Sequence, residues 1–178
     1  MQFSPISDTW KSQIPPLFLK TFSDAEGPSE GTLVSHLVTG LINHPQSGDI
    51  RGFVAVENQT LAGCIFFTRL TFESRVNVFL LSPVAVHTDY QGRGIGQQLI
   101  RYGIEQLRET GVQRIFTYGD PAFYSKVGFR QVTEQEAQPP FPLAQPEGWL
   151  CLAVDGSELA PLPGVARCVS AFNDPAYW

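Results

Sequence analysis

The stretch Val76-Asn77-Val78-Phe79-Leu80-Leu81-Ser82-Pro83-Val84-Ala85-Val86, followed after residues 87–90 by Gln91-Gly92-Arg93-Gly94-Ile95-Gly96, decides the architecture. Its first part is apolar on both alternating sets, with Val76, Val78, Leu80, Val84 and Val86 on one and Phe79, Leu81 and Ala85 on the other. A strand of that kind is central and covered on both faces. Pro83 cannot donate to a ladder, so the pairing loosens or bulges there. In the second part, three glycines let the backbone turn tightly and approach a ligand closely. The helix that follows presents unpaired N–H groups and a partial positive charge, a site that suits a pyrophosphate.

Spacing excludes two nucleotide motifs. The glycines fall at 92, 94 and 96 with Gln97 next, which breaks the dinucleotide pattern Gly-x-Gly-x-x-Gly, and no Gly-Lys-Ser/Thr follows, which excludes a P-loop. Nucleotide hydrolysis is therefore disfavoured.

On the C-terminal side, Gly96, Leu99, Ile100, Gly103, Ile104 and Leu107 recur at helical spacing from Gly94 to Thr110, Gly111 ends the helix, and Arg101–Glu105 pair on its other face. Val112–Tyr118 is the next strand, so strand, helix and strand form a parallel pair joined by a right-handed crossover. A short helix around Ala122–Lys126 and a strand near Phe129–Thr133 follow. Residues 134–148, with four prolines and three glutamates, read as an exposed loop. Trp149–Val154 and Val165–Phe172 read as closing strands.

On the N-terminal side, Gly52–Val56 and Leu61–Leu70 form a hairpin turning at Glu57-Asn58-Gln59. Pro28-Ser29-Glu30 opens an amphipathic helix with Leu33, Val34, Leu37, Val38, Leu41 and Ile42 on its apolar stripe. Trp10–Phe22 is helical with a break or kink at Pro15-Pro16, and residues 1–6 form an edge strand. The fold class is α/β with a mixed sheet. At 178 residues, 43% hydrophobic and 13 Phe, the chain supports a single domain over 1–178 with one sizeable core.

The net charge of −5, with no block of like charges, disfavours nonspecific nucleic-acid binding. No apolar run approaches the roughly 18–20 residues of a membrane span. Met1–Pro5 lacks the basic and apolar regions of a secretory leader, so the expected location is the cytoplasm. Cys64, Cys151 and Cys168 are scattered and read as buried thiols. His36, His44 and His87 are scattered too, so no metal is expected.

Gln91-x-x-Gly94-x-Gly96, preceded by Val84-Ala85-Val86 and followed by Phe123-Tyr124-x-x-x-Gly128-Phe129, resembles the GNAT superfamily of acetyl-CoA-dependent N-acetyltransferases. The likeness covers residues 50–132, and Leu81–His87 with Gly119-Asp120-Pro121 resemble a YhbS-like subgroup of predicted acetyltransferases. It implies a mixed, mostly antiparallel sheet with a splayed central parallel strand pair and flanking helices. The pantetheine arm of acetyl-CoA would lie along Val84, Ala85 and Val86, bonded by the main chain of Val84 and Val86, with Pro83 supplying the disruption that parts the strands. Residues Gln91, Gly92, Arg93, Gly94, Ile95 and Gly96 would hold the pyrophosphate, Arg93 by its backbone N–H.

The resemblance makes Tyr124 both a cofactor contact and the general acid that protonates the departing thiolate. A free strand N–H near Val84 would face the tetrahedral oxyanion. Glu73, just before the central strand, stands first as general base, with Asp120 and Asp89 behind it. Thr117 occupies the position where the family commonly has Asn. The acceptor would be the primary amine of a small molecule or a peptide. Residues 10–45 and 134–178, the regions that would form its pocket, carry no readable motif. A catalytically silent acyl-CoA-binding module is the competing reading, and Asp174-Pro175-Ala176-Tyr177-Trp178 would suit a homodimer interface.

Overall fold

A computed structural model describes residues 1–44 and 48–178. These divide into two compact units, one made of residues 1–67 and 83–103, the other of 68–82 and 104–178. A mixed seven-stranded sheet has the order β1 (Gln2–Pro5), β2 (Ile50–Glu57), β3 (Thr60–Leu70), β4 (Val78–Val86), β5 (Arg114–Tyr118), β8 (Trp149–Ala153) and β6 (Arg130–Gln131). A separate two-stranded sheet pairs β7 (Ala137–Gln138) with β9 (Leu162–Val165).

In the first unit, β1 lies antiparallel to β2 from Gln2↔Val56 to Pro5↔Phe53, an edge position that tolerates proline. The β2–β3 hairpin turns on Asn58 (φ 49°) and Gln59 (φ 62°), the consecutive left-handed pair that matches strand twist. Helix α1 (Asp8–Lys11) stops before α2 (Ile14–Glu26), so the break falls at Ser12-Gln13 and not at the prolines. Pro15 and Pro16 sit in the first turn of α2, where a missing N–H costs nothing. Helix α3 (Pro28–Ile42) buries Val34, Leu37, Val38 and Leu41, with Leu33 and Ile42 at the margins of the stripe. It crosses α2 closely at Gly31, where a Cβ would lie 2.5 Å from the Leu19 carbonyl oxygen.

Helix α4 (Ile95–Glu109) buries Ile95, Leu99, Ile100, Ile104 and Leu107 and ends at the left-handed Gly111 (φ 76°). Gly103 is required by packing, since a Cβ there would come within 2.4 Å of the Phe67 ring. On its outer face Glu105 is taken by Arg108.

In the second unit β4 runs parallel to β5 from Val78↔Arg114 to Leu81↔Thr117, and the register ends there without a shift. The disruption read at Pro83 thus takes the form of a termination of this pairing two residues earlier. Burial on both faces likewise holds only for Val78–Leu81; Ser82, Val84 and Val86 are half-exposed. The strand begins at Val78; Val76 and Asn77 precede it as irregular chain, with the Asn77 N–H donating to Gln113 Oε1 at 3.0 Å.

Strand β8 is antiparallel to β5 and to β6, and the core around them stacks Phe72, Phe116 and Trp149, with centroids 5.8 and 4.8 Å apart. Residues 134–148 are not simply an exposed loop: they carry β7, and Ala137, Leu143 and Gly148 are buried. The second closing strand also falls earlier than expected, at Leu162–Val165. Residues beyond it make a lone bridge, Thr71↔Arg167, and a 3-10 turn at Ser170–Phe172. Among the described residues no helix is long and apolar enough to cross a membrane.

Candidate active site

Two backbone facts orient the end of β4. The His87 N–H donates to the Ala62 carbonyl at 2.9 Å, and the Ala85 carbonyl lies against Gly63, so residues 85 and 87 turn their polar groups to β3. The period of two then turns the N–H and C=O of Val84 and Val86 to the opposite edge. The Val86 carbonyl is already engaged, accepting from Gln91 Nε2 at 3.0 Å and from Thr21 Oγ1 at 3.5 Å. Asp24 receives the Thr88 hydroxyl at 2.6 Å and Lys20 at 2.8 Å, which ties α2 to the turn after β4.

The turn itself places Gly92 and Gly94 at φ 73°. A Cβ at Gly92 would meet nothing within 4 Å, and one at Gly94 only Gln98 Nε2 at 3.7 Å. Left-handed geometry, not crowding, selects glycine at both. The first bond of α4 runs from the Gln98 N–H to the Gly94 carbonyl at 3.1 Å, so the amides before it are the orphan donors of a helix start. Arg93 is held by Glu57: Nη2 donates to Oε1 at 2.8 Å and Nη1 to Oε2 at 3.0 Å. The same hydrogen bonds keep the Glu57 carboxyl below the usual carboxylate range. Glu57 also borders a cavity of about 600 Å³ shared with Met1, Trp10 and Gln13.

In the second unit, Tyr124 ends α5 (Pro121–Tyr124), half-buried between Phe123 and Phe129. Its ring lies 2.7 Å from where a Gly119 Cβ would stand, so Gly119 makes room for it. Burial pushes the phenol above the ordinary tyrosine value, and the nearby Thr117 hydroxyl offsets this in part. Thr117 is fully buried and its hydroxyl donates to the Leu81 carbonyl at 2.9 Å. Asp120 caps α5, its Oδ1 accepting from the Ala122 N–H at 2.8 Å.

Glu73 is exposed, with its N–H donating to the Pro163 carbonyl at 3.1 Å and its side chain lying over Gly164. Asp89 is exposed beside His87, whose Nδ1 accepts from the Asp89 N–H at 3.2 Å.

The structure thus brings Val84, Ala85, Val86 and residues 91–96 together in one unit, and holds Tyr124 and Glu73 in the other. Pro45, the last residue of the first acceptor region, lies outside the described residues. Sequence reasoning missed Glu57 and treated Thr117 only as a departure from the family pattern. A carboxylate at a hairpin turn carries no local signal for a partner at position 93; Thr117 could have been found as a hydroxyl inside an apolar strand. Cys64 and Cys151 are buried, which raises both thiols, Cys151 to about 12, whereas Cys168 is only half-buried. Among the described residues no three His, Cys, Asp or Glu side chains group to hold a metal ion.

The profile of the acetyltransferase (GNAT) domain matches residues 48–131. The uncharacterized N-acetyltransferase YjhQ of Escherichia coli K12 is 31% identical over 138 residues, 74% of this chain and 76% of that protein. YhbS of the same organism, also an uncharacterized N-acetyltransferase, is 31% identical over 93 residues, 52% of this chain and 50% of its own length. Among solved structures, YhbS from Escherichia coli in complex with CoA superposes with a TM-score of 0.83 at 22% identity, covering 97% of this chain and 92% of that one. A GNAT acetyltransferase from Brucella melitensis in complex with acetyl-CoA gives 0.71 at 23% identity, covering 96% and 97%. The chain belongs to the GNAT acetyltransferase family, and these solved structures share its fold.

Proposed function

We propose that the protein is an acetyl-CoA-dependent N-acetyltransferase that moves the acetyl group directly to the primary amine of a small molecule or peptide. The observation that carries this is the end of β4. Val84 and Val86 turn backbone groups away from β3, and the same strand leads into a turn whose two left-handed glycines open a helix start. Amide-rich pantetheine and a pyrophosphate suit those two features in that order. The reading retains one acetyltransferase-like domain over residues 1–178, because β4 and α4 each begin in one unit and end in the other.

In the proposed chemistry the amine nitrogen bonds to the acetyl carbon while the carbonyl π pair moves onto oxygen, and the tetrahedral intermediate then collapses as the carbon–sulfur bond breaks. The Val84 N–H serves the transient oxyanion. Tyr124 gives its proton to the departing sulfur; a phenol is protonated across the neutral range, and burial does not lower its value. Glu73 takes the proton lost by the incoming ammonium, its exposure leaving it open to solvent and acceptor alike. The buried thiols of Cys64 and Cys151 are held protonated, which favours direct transfer over a cysteine-bound acetyl group.

Calorimetric titration with acetyl-CoA, followed by assay of free thiol release over a panel of amines, tests the reading. Binding with turnover on at least one amine is expected. Binding without turnover on any of them favours the silent module, and absence of binding overturns the assignment.

A further inference from the structure

We propose that Glu57 is a positioning residue for the cofactor turn, acting through Arg93; the inference rests on the reading of residues 91–96 as the pyrophosphate cradle. Arg93 stands between two glycines at φ 73°, and a side chain at either position would meet little but open space. Glycine widens the backbone choices open to such a turn, and ordering them opposes binding of any ligand that needs its amides aligned. The brace comes from outside the turn. Both Glu57 carboxylate oxygens accept from Arg93, and the guanidinium carbon lies 5.5 Å over the Tyr90 ring.

Glu57 is itself well anchored. It closes β2 directly before the two-residue turn at Asn58 and Gln59, and its side chain is 23% exposed against 49% for Arg93. An ion pair this accessible adds little to global stability, whereas its two parallel hydrogen bonds fix direction. Arg93 is the one cation in the turn, and Glu57 neutralises it. The anion is therefore met by backbone amides that the pair holds in place, and not by the guanidinium.

The two roles open to Arg93 predict opposite signs. If the pair braces the turn, loss of either partner weakens binding. If Arg93 is a phosphate ligand restrained by Glu57, removing the carboxylate frees a positive charge and tightens binding.

The experiment is calorimetric titration of CoA into the wild type, Glu57→Gln, Arg93→Gln and the double variant, with amide hydrogen exchange at residues 92–94 measured on all four without ligand. Each single variant is expected to weaken CoA binding severalfold, and the double variant to be no weaker than either single, because both remove one contact. Exchange at 92–94 is expected to rise equally in all three variants while the thermal midpoint stays near that of the wild type. Glu57→Asp, which keeps the charge, is expected to recover part of the affinity. Tighter binding by Glu57→Gln, additive losses in the double variant, or unchanged exchange would each overturn the proposal. Failure of the wild type to bind CoA sinks the cofactor reading instead, and the exchange data then decide the Glu57–Arg93 brace by themselves.

Discussion

The Thr117 hydroxyl donates to the Leu81 carbonyl at 2.9 Å, across the last matched residues of β4 and β5. One side-chain bond therefore marks the point where the parallel ladder stops. Thr117→Val keeps the shape and removes the donor, leaving a buried carbonyl without its bond. Stability is expected to fall by about 1–3 kcal/mol in chemical denaturation. Thr117→Ser is expected to retain most of it.

Tyr124→Phe is expected to lower turnover while sparing affinity for CoA, measured by steady-state kinetics beside calorimetry. Unchanged turnover removes the phenol from the mechanism.

The pH profile gives an independent check on the same residue. Burial raises the Tyr124 phenol above its ordinary value of 10.0. Its contribution to stability is therefore fully present below pH 10 and is lost as pH rises through the higher folded-state value. The alkaline limb of turnover, where it reports this group, is expected above pH 10, and Tyr124→Phe abolishes it.

Gly94 separates backbone conformation from charge. Space around it is open, so Gly94→Ala costs only left-handed strain, roughly 1–2 kcal/mol, and moderately weakens CoA binding. Gly94→Glu adds a negative charge at the helix start and is expected to abolish binding in the same titration. Equal affinity of Gly94→Glu and the wild type contradicts the cradle.

Alkylation should distinguish the thiols. With Cys151 pushed up to about 12 and Cys64 buried and raised well above its ordinary range, iodoacetamide at pH 8 is expected to modify at most Cys168 in the native protein. All three cysteines should react in denaturant, as counted by mass spectrometry.

The parts of the fold written in the sequence are those with local periodicity or a demanding backbone angle. The stripe from Val34 to Leu41, the α4 repeat, the Asn58–Gln59 turn and the left-handed Gly92, Gly94 and Gly111 are of this kind. What escaped was decided at long range. Pro15 and Pro16 look like breakers in a window of neighbours, yet the chain had already interrupted itself at Ser12-Gln13 and used them to start a new helix. Residues 134–148 look solvent-exposed by composition, but Ala137 accepts from the Trp149 indole at 2.8 Å and pairs with Leu162. In the candidate site the glycines and strand were legible from spacing, whereas the Glu57–Arg93 pair spans 36 positions and leaves no local trace.

The interleaved path of the chain also constrains how it can be taken apart. The polypeptide passes between the two compact units at 67/68, 82/83 and 103/104. No single peptide-bond cut therefore yields either unit whole, and a split-protein or fragment-complementation scheme that cuts at one of those crossings severs β3, β4 or α4.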